Sequence, residues 1–247
     1  MILEQLGKKL LFFDGGMGTL LQEKGLAPGE LPETWNLTHS EEIYKIHRQY
    51  IEAGSDIILT NTFGANALKF HDDSCSLEEI IKAAVSHVKK AEREALLQTG
   101  DERKIYTALD VGPTGKLLKP MGDLEFETAY EAFKEVVILG EQAGADLIHI
   151  ETMSDTYELK AAVLAAKENT SLPVFATVIF DERKKLLTGA DVSSVVALLE
   201  GLGVEALGIN CAMGPKEMLP VLEELIKYSS VPIIVKPNAG LPKQRDG

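Results

Sequence analysis

The chain has 247 residues, 45% of them apolar, and carries 25 lysines and arginines against 38 acids, a net charge of −13. That composition excludes a disordered chain, and its acidity argues against a nucleic-acid binder, which presents a basic face to phosphates. No apolar run approaches the ~18 residues of a membrane helix, the N-terminus lacks a signal-peptide core, and two cysteines make no disulfide framework, so a cytoplasmic protein with no membrane contact is expected.

In chain order, short strand-like runs alternate with longer helical patterns. The runs are LLFFD (10–14), DIILTNTF (56–63), KIYTALD (104–110), DLIHIET (146–152), PVFATVIFD (173–181), ALGINC (206–211) and PIIVKPN (232–238). A helix beginning at Ser76 carries a Ser76-to-Glu79 capping box and apolar residues at helical spacing. Another, over 124–144, ends in Gly144, a C-cap signal. Stretches 155–169 and 215–229 read the same way.

EAGSDIIL, QAGADLIH and GLGVEALG share one grammar of helix end, glycine, acid and strand, with Gly54, Gly144 and Gly203 as the C-cap glycines. Alternating strands and helices imply parallel strands joined by right-handed crossovers. No linker or low-complexity stretch interrupts the pattern, so residues 1–247 read as one domain.

Two architectures suit seven such units, a doubly wound open sheet and a (β/α)8 TIM-type barrel. The strand ends carry Asp14, Asn61 with Thr62, Asp110, Glu151, Asp181, Cys211 and Asn238. An open sheet needs polar ends only near its switch point, whereas the whole C-terminal rim of a barrel is a site. The barrel is therefore expected, with about seven βα units and the last one missing.

FFDGGMGT (12–19) lacks the third glycine of a dinucleotide fingerprint. It reads as a tight turn beside Asp14, either a plain βα turn or a corner for the two ends of an amino acid. Glu151 stands at its strand's end, as a candidate for a substrate ammonium or as a helix N-terminal acid. His149 shares its parity and reads as a hydrogen-bonded core histidine. His39, His47, His71 and His87 have no metal spacing, and Cys75 reads as structural. Cys211 is open to three readings: a packing residue, a nucleophile lacking an obvious base, or a metal ligand lacking companions.

DGGMGTLLQ, PETWNLTHSEEIYKIHRQYIEAGSDIILTNTFGAN, DVGPTGKL, ETMSDTYELKAAVLAAK, LTGADV, LGINCAMGP and KPNAG occur in this order over nearly the whole chain. Together they resemble the homocysteine S-methyltransferase domain, in the type found at the N-terminus of cobalamin-dependent methyltransferases. The resemblance implies a barrel that binds homocysteine and zinc, with methylcobalamin as methyl donor and cobalamin and folate modules as partners in the parent protein. It assigns Cys211 as one zinc ligand and expects two further cysteines, in a Gly-Gly-Cys-Cys-Gly segment, after residue 247. It places Asp14, Gly15, Glu151, Thr62 and Asn238 at the substrate.

On this reading the chain is C-terminally incomplete and inactive alone. Betaine or S-methylmethionine as donor, and a non-catalytic docking module on a degenerate barrel, are the alternatives that the motifs leave open.

Overall fold

The computed structural model describes residues 1–70, 75–100, 102–211 and 213–239; His71 lies outside them. Six strands make one sheet: β1 (Ile57–Leu59), β2 (Tyr106–Val111), β3 (Leu147–Met153), β4 (Val174–Val178), β5 (Ala206–Asn210) and β6 (Ile233–Lys236). Three helices precede β1, namely α1 (Met17–Glu23), α2 (Trp35–Thr38) and α3 (Ser40–Ala53). One helix then fills each crossover: α4 (Leu77–Thr99), α5 (Phe126–Ala143), α6 (Thr156–Asn169), α7 (Val192–Gly201) and α8 (Pro215–Tyr228).

The spatial order is β1-β2-β3-β4-β5-β6, and every pairing is parallel. A doubly wound sheet reverses its order at a switch point; this one never does. It curls as a partial barrel, as the polar strand ends imply.

Strand alternation sorts the side chains into two layers. Ile148 and Ile150 of β3 face outward and pack with Phe133 and Val136 of α5 and Leu159 of α6. Leu147 faces inward with Leu59, Tyr106, Ala108, Phe175, Ala206 and Ile234, and Phe13 packs against this inner cluster. Phe133 is fully buried in the outer layer, and truncating such a side chain to alanine costs about 3–5 kcal/mol.

The helix punctuation follows the sequence. Ser76 and Glu79 form the reciprocal capping box of α4. The Asp155 carboxylate caps α6 by accepting from the Tyr157 N–H. Gly54 and Gly144 close α3 and α5 in the left-handed region, at φ 111° and 95°, where an L side chain is strained. Gly203, just past α7, is left-handed too, at φ 75°.

The first expected strand is different. Residues 10–14 make a single bridge, Phe13 to Ile57, rather than a strand. Its backbone bonds are Ile57 N–H to the Phe12 carbonyl (3.0 Å) and Asp14 N–H to the Ile57 carbonyl (2.9 Å). Phe12 donates its own N–H to the Asp56 carboxylate instead of to a ladder. The segment thus lies along the side of β1 away from β2, at the edge of the sheet, without regular pairing. Runs 56–63 and 173–181 also shorten, because Thr62 and Asp181 bond into turns rather than onward along the strand.

Candidate active site

Inward positions at the C-terminal ends of the strands converge. On β2 the inward series Tyr106, Ala108 ends in Asp110; on β3 Leu147 and His149 end in Glu151; on β5 Ala206 and Gly208 end in Asn210; on β6 Ile234 is followed by Lys236. Asp14 joins them from the turn after Phe13. A cavity of about 560 Å³ opens here, with Asp14, Gly15, Gly16, Glu151, Asn210, Cys211, Lys236 and Asn238 on its polar side and Phe13, Phe175 and Ile234 on its apolar side.

Local backbone geometry aims these groups. The β3–β4 register shifts between Ile150 and Met153, an irregularity of the kind that redirects a side chain next to a site. Thr152 beside it is left-handed at φ 63°, and Cys211 at the end of β5 is left-handed at φ 53°. Asn210 ties the two together: its Oδ1 accepts from the Thr152 N–H (3.0 Å), and its Nδ2 donates to Thr152 Oγ1 (2.7 Å) and to Cys211 Sγ (3.4 Å). Non-glycine residues hold such conformations only when the surroundings over-determine them, and they cluster at functional sites.

The electrostatics are dominated by burial. Asp14 is 8% exposed, and desolvation pushes its carboxyl up to about 7 against the opposing pull of Lys236 and the Leu59 N–H. Its Oδ2 accepts from that N–H at 3.0 Å, while Oδ1 has no partner among the described residues. Asp110 is likewise raised, by burial first and then by the charge of Glu151, and its Oδ1 is also unpartnered among the described residues.

Burial pushes Glu151 upward as well, but its contacts with His149 and Lys236 outweigh this and hold it below the usual carboxylate range. Lys236 Nζ donates to Glu151 Oε2 at 2.6 Å and lies 5.1 Å from the centre of the Phe13 ring. Burial lowers the Lys236 ammonium, but the charges of Glu151, Asp110 and Asp14 together raise it above its ordinary value.

His149 is fully buried, 3.4 Å from Glu151 Oε2 through Nε2, with its ring tilted against Phe13. Neither ring nitrogen makes a well-formed hydrogen bond among the described residues; the polar group that the ring meets is the Glu151 carboxylate, through Nε2. Burial holds His149 below the usual histidine range.

The other expected site residues divide. Gly15 is at the mouth, where an added Cβ would come 2.7 Å from the Tyr50 hydroxyl, so a side chain there would have to displace the end of Tyr50. Asn238 is exposed on the rim, its N–H bonded to the Met213 carbonyl. Thr62 is buried outside the cavity lining: its Oγ1 bonds the Asp110 carbonyl and Thr60 Oγ1, both at 2.7 Å. Asp181, which ends its run, binds the N–H groups of Arg183 and Lys185 in a turn and does not reach the cavity. The motifs around Thr62 and Thr114 serve as braces: Gly64 N–H bonds buried Glu33, and Thr114 bonds Glu158 through both N–H and Oγ1.

Asp110 and Lys236 are the site residues that motifs alone do not single out. A simple rule reaches both, since each occupies an inward-parity position at a strand's C-terminal end.

Cys211 is half-buried at the cavity. Burial, followed by the Glu151 charge, raises its thiol above the ordinary range, and the groups acting on it are Glu151, Lys236, Thr152 and Asn210. No histidine is among them, which removes support for a Cys–His nucleophile. Among the described residues no three His, Cys, Asp or Glu side chains come together to hold a metal. A single thiol does not hold zinc, so the described residues do not by themselves complete the zinc site that the motifs imply. No helix among the described residues is long and apolar enough to cross a membrane.

One family, homocysteine S-methyltransferase, matches residues 11–247. The methionine synthases of Mycobacterium leprae (strain TN) and Mycobacterium tuberculosis (strain ATCC 25618 / H37Rv) are each 34% identical in an alignment that is 252 positions long, gaps included, and covers 98% of this chain. The chain spans 21% of the length of those relatives. The metallated form of the homocysteine methyltransferase MmuM from Escherichia coli superposes with a TM-score of 0.84 at 24% identity, over 94% of this chain and 85% of that one. Its apo form gives 0.80 at 25% identity, over 95% and 84%. These superpositions show that the fold is shared.

Proposed function

Because this chain belongs to the homocysteine S-methyltransferase family, we propose that it is the homocysteine-binding barrel of an enzyme that methylates the homocysteine thiol to give methionine. The observation that carries this reading is the meeting of Asp14, Glu151 and Cys211 around one cavity at the C-terminal mouth of the strands. The two carboxyl groups suit the ammonium of an amino acid, and the cavity between them and Cys211 offers room for the short thiol arm.

In the reaction a sulfur–carbon bond forms, the donor–methyl bond breaks, and the thiol proton leaves. The chain's own groups bind and orient the amino-acid end. Asp14 Oδ1 and Glu151 accept from the ammonium, and the Gly15 turn brings backbone beside it. Holding the thiol arm in one orientation reduces the entropic cost of the displacement. Thr62 supports this arrangement from below by fixing the Asp110 carbonyl, and Asn238 contributes to the rim.

Zinc and methylcobalamin belong to the reading at its finer level. Cys211 is assigned to a zinc centre whose two further cysteines come from beyond residue 247, and methylcobalamin is the donor, supplied with folate chemistry by other modules. The existence of a metallated form of the Escherichia coli homologue and the great length of the mycobacterial relatives support this assignment. The ligand set that the described residues offer is incomplete and gives no basis for a step through the metal. A cytoplasmic location suits two cysteines that no disulfide joins.

Titration calorimetry with L-homocysteine, and with L-homoserine as an isostere lacking sulfur, tests the reading. Homocysteine binding that weakens on the order of 10-fold in both Asp14→Asn and Glu151→Gln supports it. Absence of homocysteine binding, or equal affinity in the two variants and the parent, overturns it.

A further inference from the structure

Lys236 has no place in the scheme above, yet it lies at the centre of the charged cluster. Its side chain is 17% exposed, it lines the cavity with Asp14 and Glu151, and the charges of Glu151, Asp110 and Asp14 all act on it. An ammonium carries three donors; the hydrogen bond that Nζ makes among the described residues goes to Glu151 Oε2. The cluster therefore holds both signs of charge with bonding capacity in reserve.

That reserve is visible on the acid side too. Asp14 is 8% exposed and its Oδ1 is buried without a partner among the described residues. Leaving a buried carboxylate oxygen without a donor costs free energy, so Asp14 is set to receive one from a ligand. A ligand presenting an ammonium to Asp14 and an anion to Lys236 would satisfy both. An α-amino acid has these two groups on one carbon.

Resting on the homocysteine reading, we propose that Lys236 is a specificity-determining residue that holds the α-carboxylate of the amino-acid substrate while Asp14 takes its ammonium. The lysine thereby selects amino-acid thiols over simple aminothiols. Its pairing with Glu151 fixes where Nζ points, and the face of the Phe13 ring lies against the ammonium on another side.

The test compares L-homocysteine with 3-aminopropane-1-thiol, the same molecule without its carboxylate, by titration calorimetry on the full chain. The unmodified protein is expected to prefer homocysteine on the order of 10- to 100-fold, the range for a charge-assisted hydrogen bond. In Lys236→Met that ratio should fall toward one, and in Lys236→Arg it should be largely retained. A change that acts only through Glu151 or through folding moves both ligands together and leaves the ratio intact.

Equal binding of the two ligands to the unmodified protein overturns the proposal without any variant. So does a ratio that survives in Lys236→Met while homocysteine still binds; in that case the homocysteine reading stands and Lys236 alone is misassigned. If homocysteine does not bind the unmodified protein, the reading of the site falls and this proposal falls with it.

Discussion

The ammonium of Lys236 on β6 reaches the carboxylate of Glu151 on β3 at 2.6 Å, across the inner face of a sheet in which two strands separate them. No element of local structure could make this pair; the curl of the sheet does. Both side chains are mostly buried, at 17% and 12% exposure. Removing one member leaves the other's charge desolvated and unpaired. Glu151→Ala is expected to lower stability by about 3 kcal/mol, the low end for a broken buried pair because some solvent reaches both groups. Urea denaturation of the two proteins at pH 7 measures the difference, and a loss below about 1 kcal/mol would show that solvent screens the pair.

The raised Asp14 carboxyl gives stability a definite pH dependence. Its folded value of about 7 lies above the ~3.9 of an unfolded aspartate. Between those values the folded state binds more protons than the unfolded state, so this group makes stability fall as pH rises. Asp14→Asn removes the contribution. The variant should gain on the parent steadily as pH goes from 4 to 8, even though Asp110, Glu151 and Lys236 still face the position. Melting curves at several pH values decide the matter; a gap that narrows with pH would mean the sign is wrong.

Asn210 holds two left-handed residues with three hydrogen bonds. At roughly 1 kcal/mol for each net bond, Asn210→Ala should cost about 2–3 kcal/mol. It should also weaken homocysteine binding, because Thr152 adjoins Glu151 and Cys211 is itself at the cavity. Chemical denaturation and calorimetry on the same variant test both parts. Unchanged binding despite the lost stability would separate the clamp from the site.

The raised Cys211 thiol carries less thiolate at neutral pH than a free cysteine, and only the thiolate is reactive. In a Cys75→Ser background, iodoacetamide should alkylate Cys211 at pH 7.5 more slowly than it alkylates glutathione. The pH midpoint of the rate should lie above that of the free thiol. A faster reaction would mean that a cation lies nearer to the sulfur than Lys236 does.

The capping box of α4 is a local signal, a serine followed three residues later by a glutamate. Ser76→Ala removes the side chain that accepts from the Glu79 N–H and should cost about 1 kcal/mol, seen as a lower denaturation midpoint with an unchanged slope. A neutral result would show that the helix is held by its packed face alone.

Much of this molecule is legible in the residues because the signals are local. Strand and helix periods, the Ser76 box, and Gly54, Gly144 and Gly203 depend on a few neighbouring positions; the box and the three glycines appear where the sequence places them, and six of the seven expected strand runs contain a strand. The barrel-type winding appears as well, because seven polar strand ends imply a rim. Resemblance of motifs points to Asp14, Gly15, Glu151, Asn238 and Cys211, and all five line one cavity. Thr62 belongs to the same motif set but bonds the backbone of β2 instead, since its hydroxyl meets the Asp110 carbonyl before it meets the cavity.

The rest was decided by distance in space. Whether residues 10–14 become a strand depends on how the Asp56 side chain competes for the Phe12 N–H, and no periodicity records that. Asp110 and Lys236 look like ordinary strand-end charges in the sequence. Only the curl of the sheet brings them beside Asp14 and Glu151, away from water, and the shift of each carboxyl and of the ammonium follows from that burial and that company. Sequence by itself determined the units, their order and the family. Tertiary structure alone turned four separate strand ends into one charged cluster, because electrostatic strength depends on separation and desolvation rather than on position along the chain.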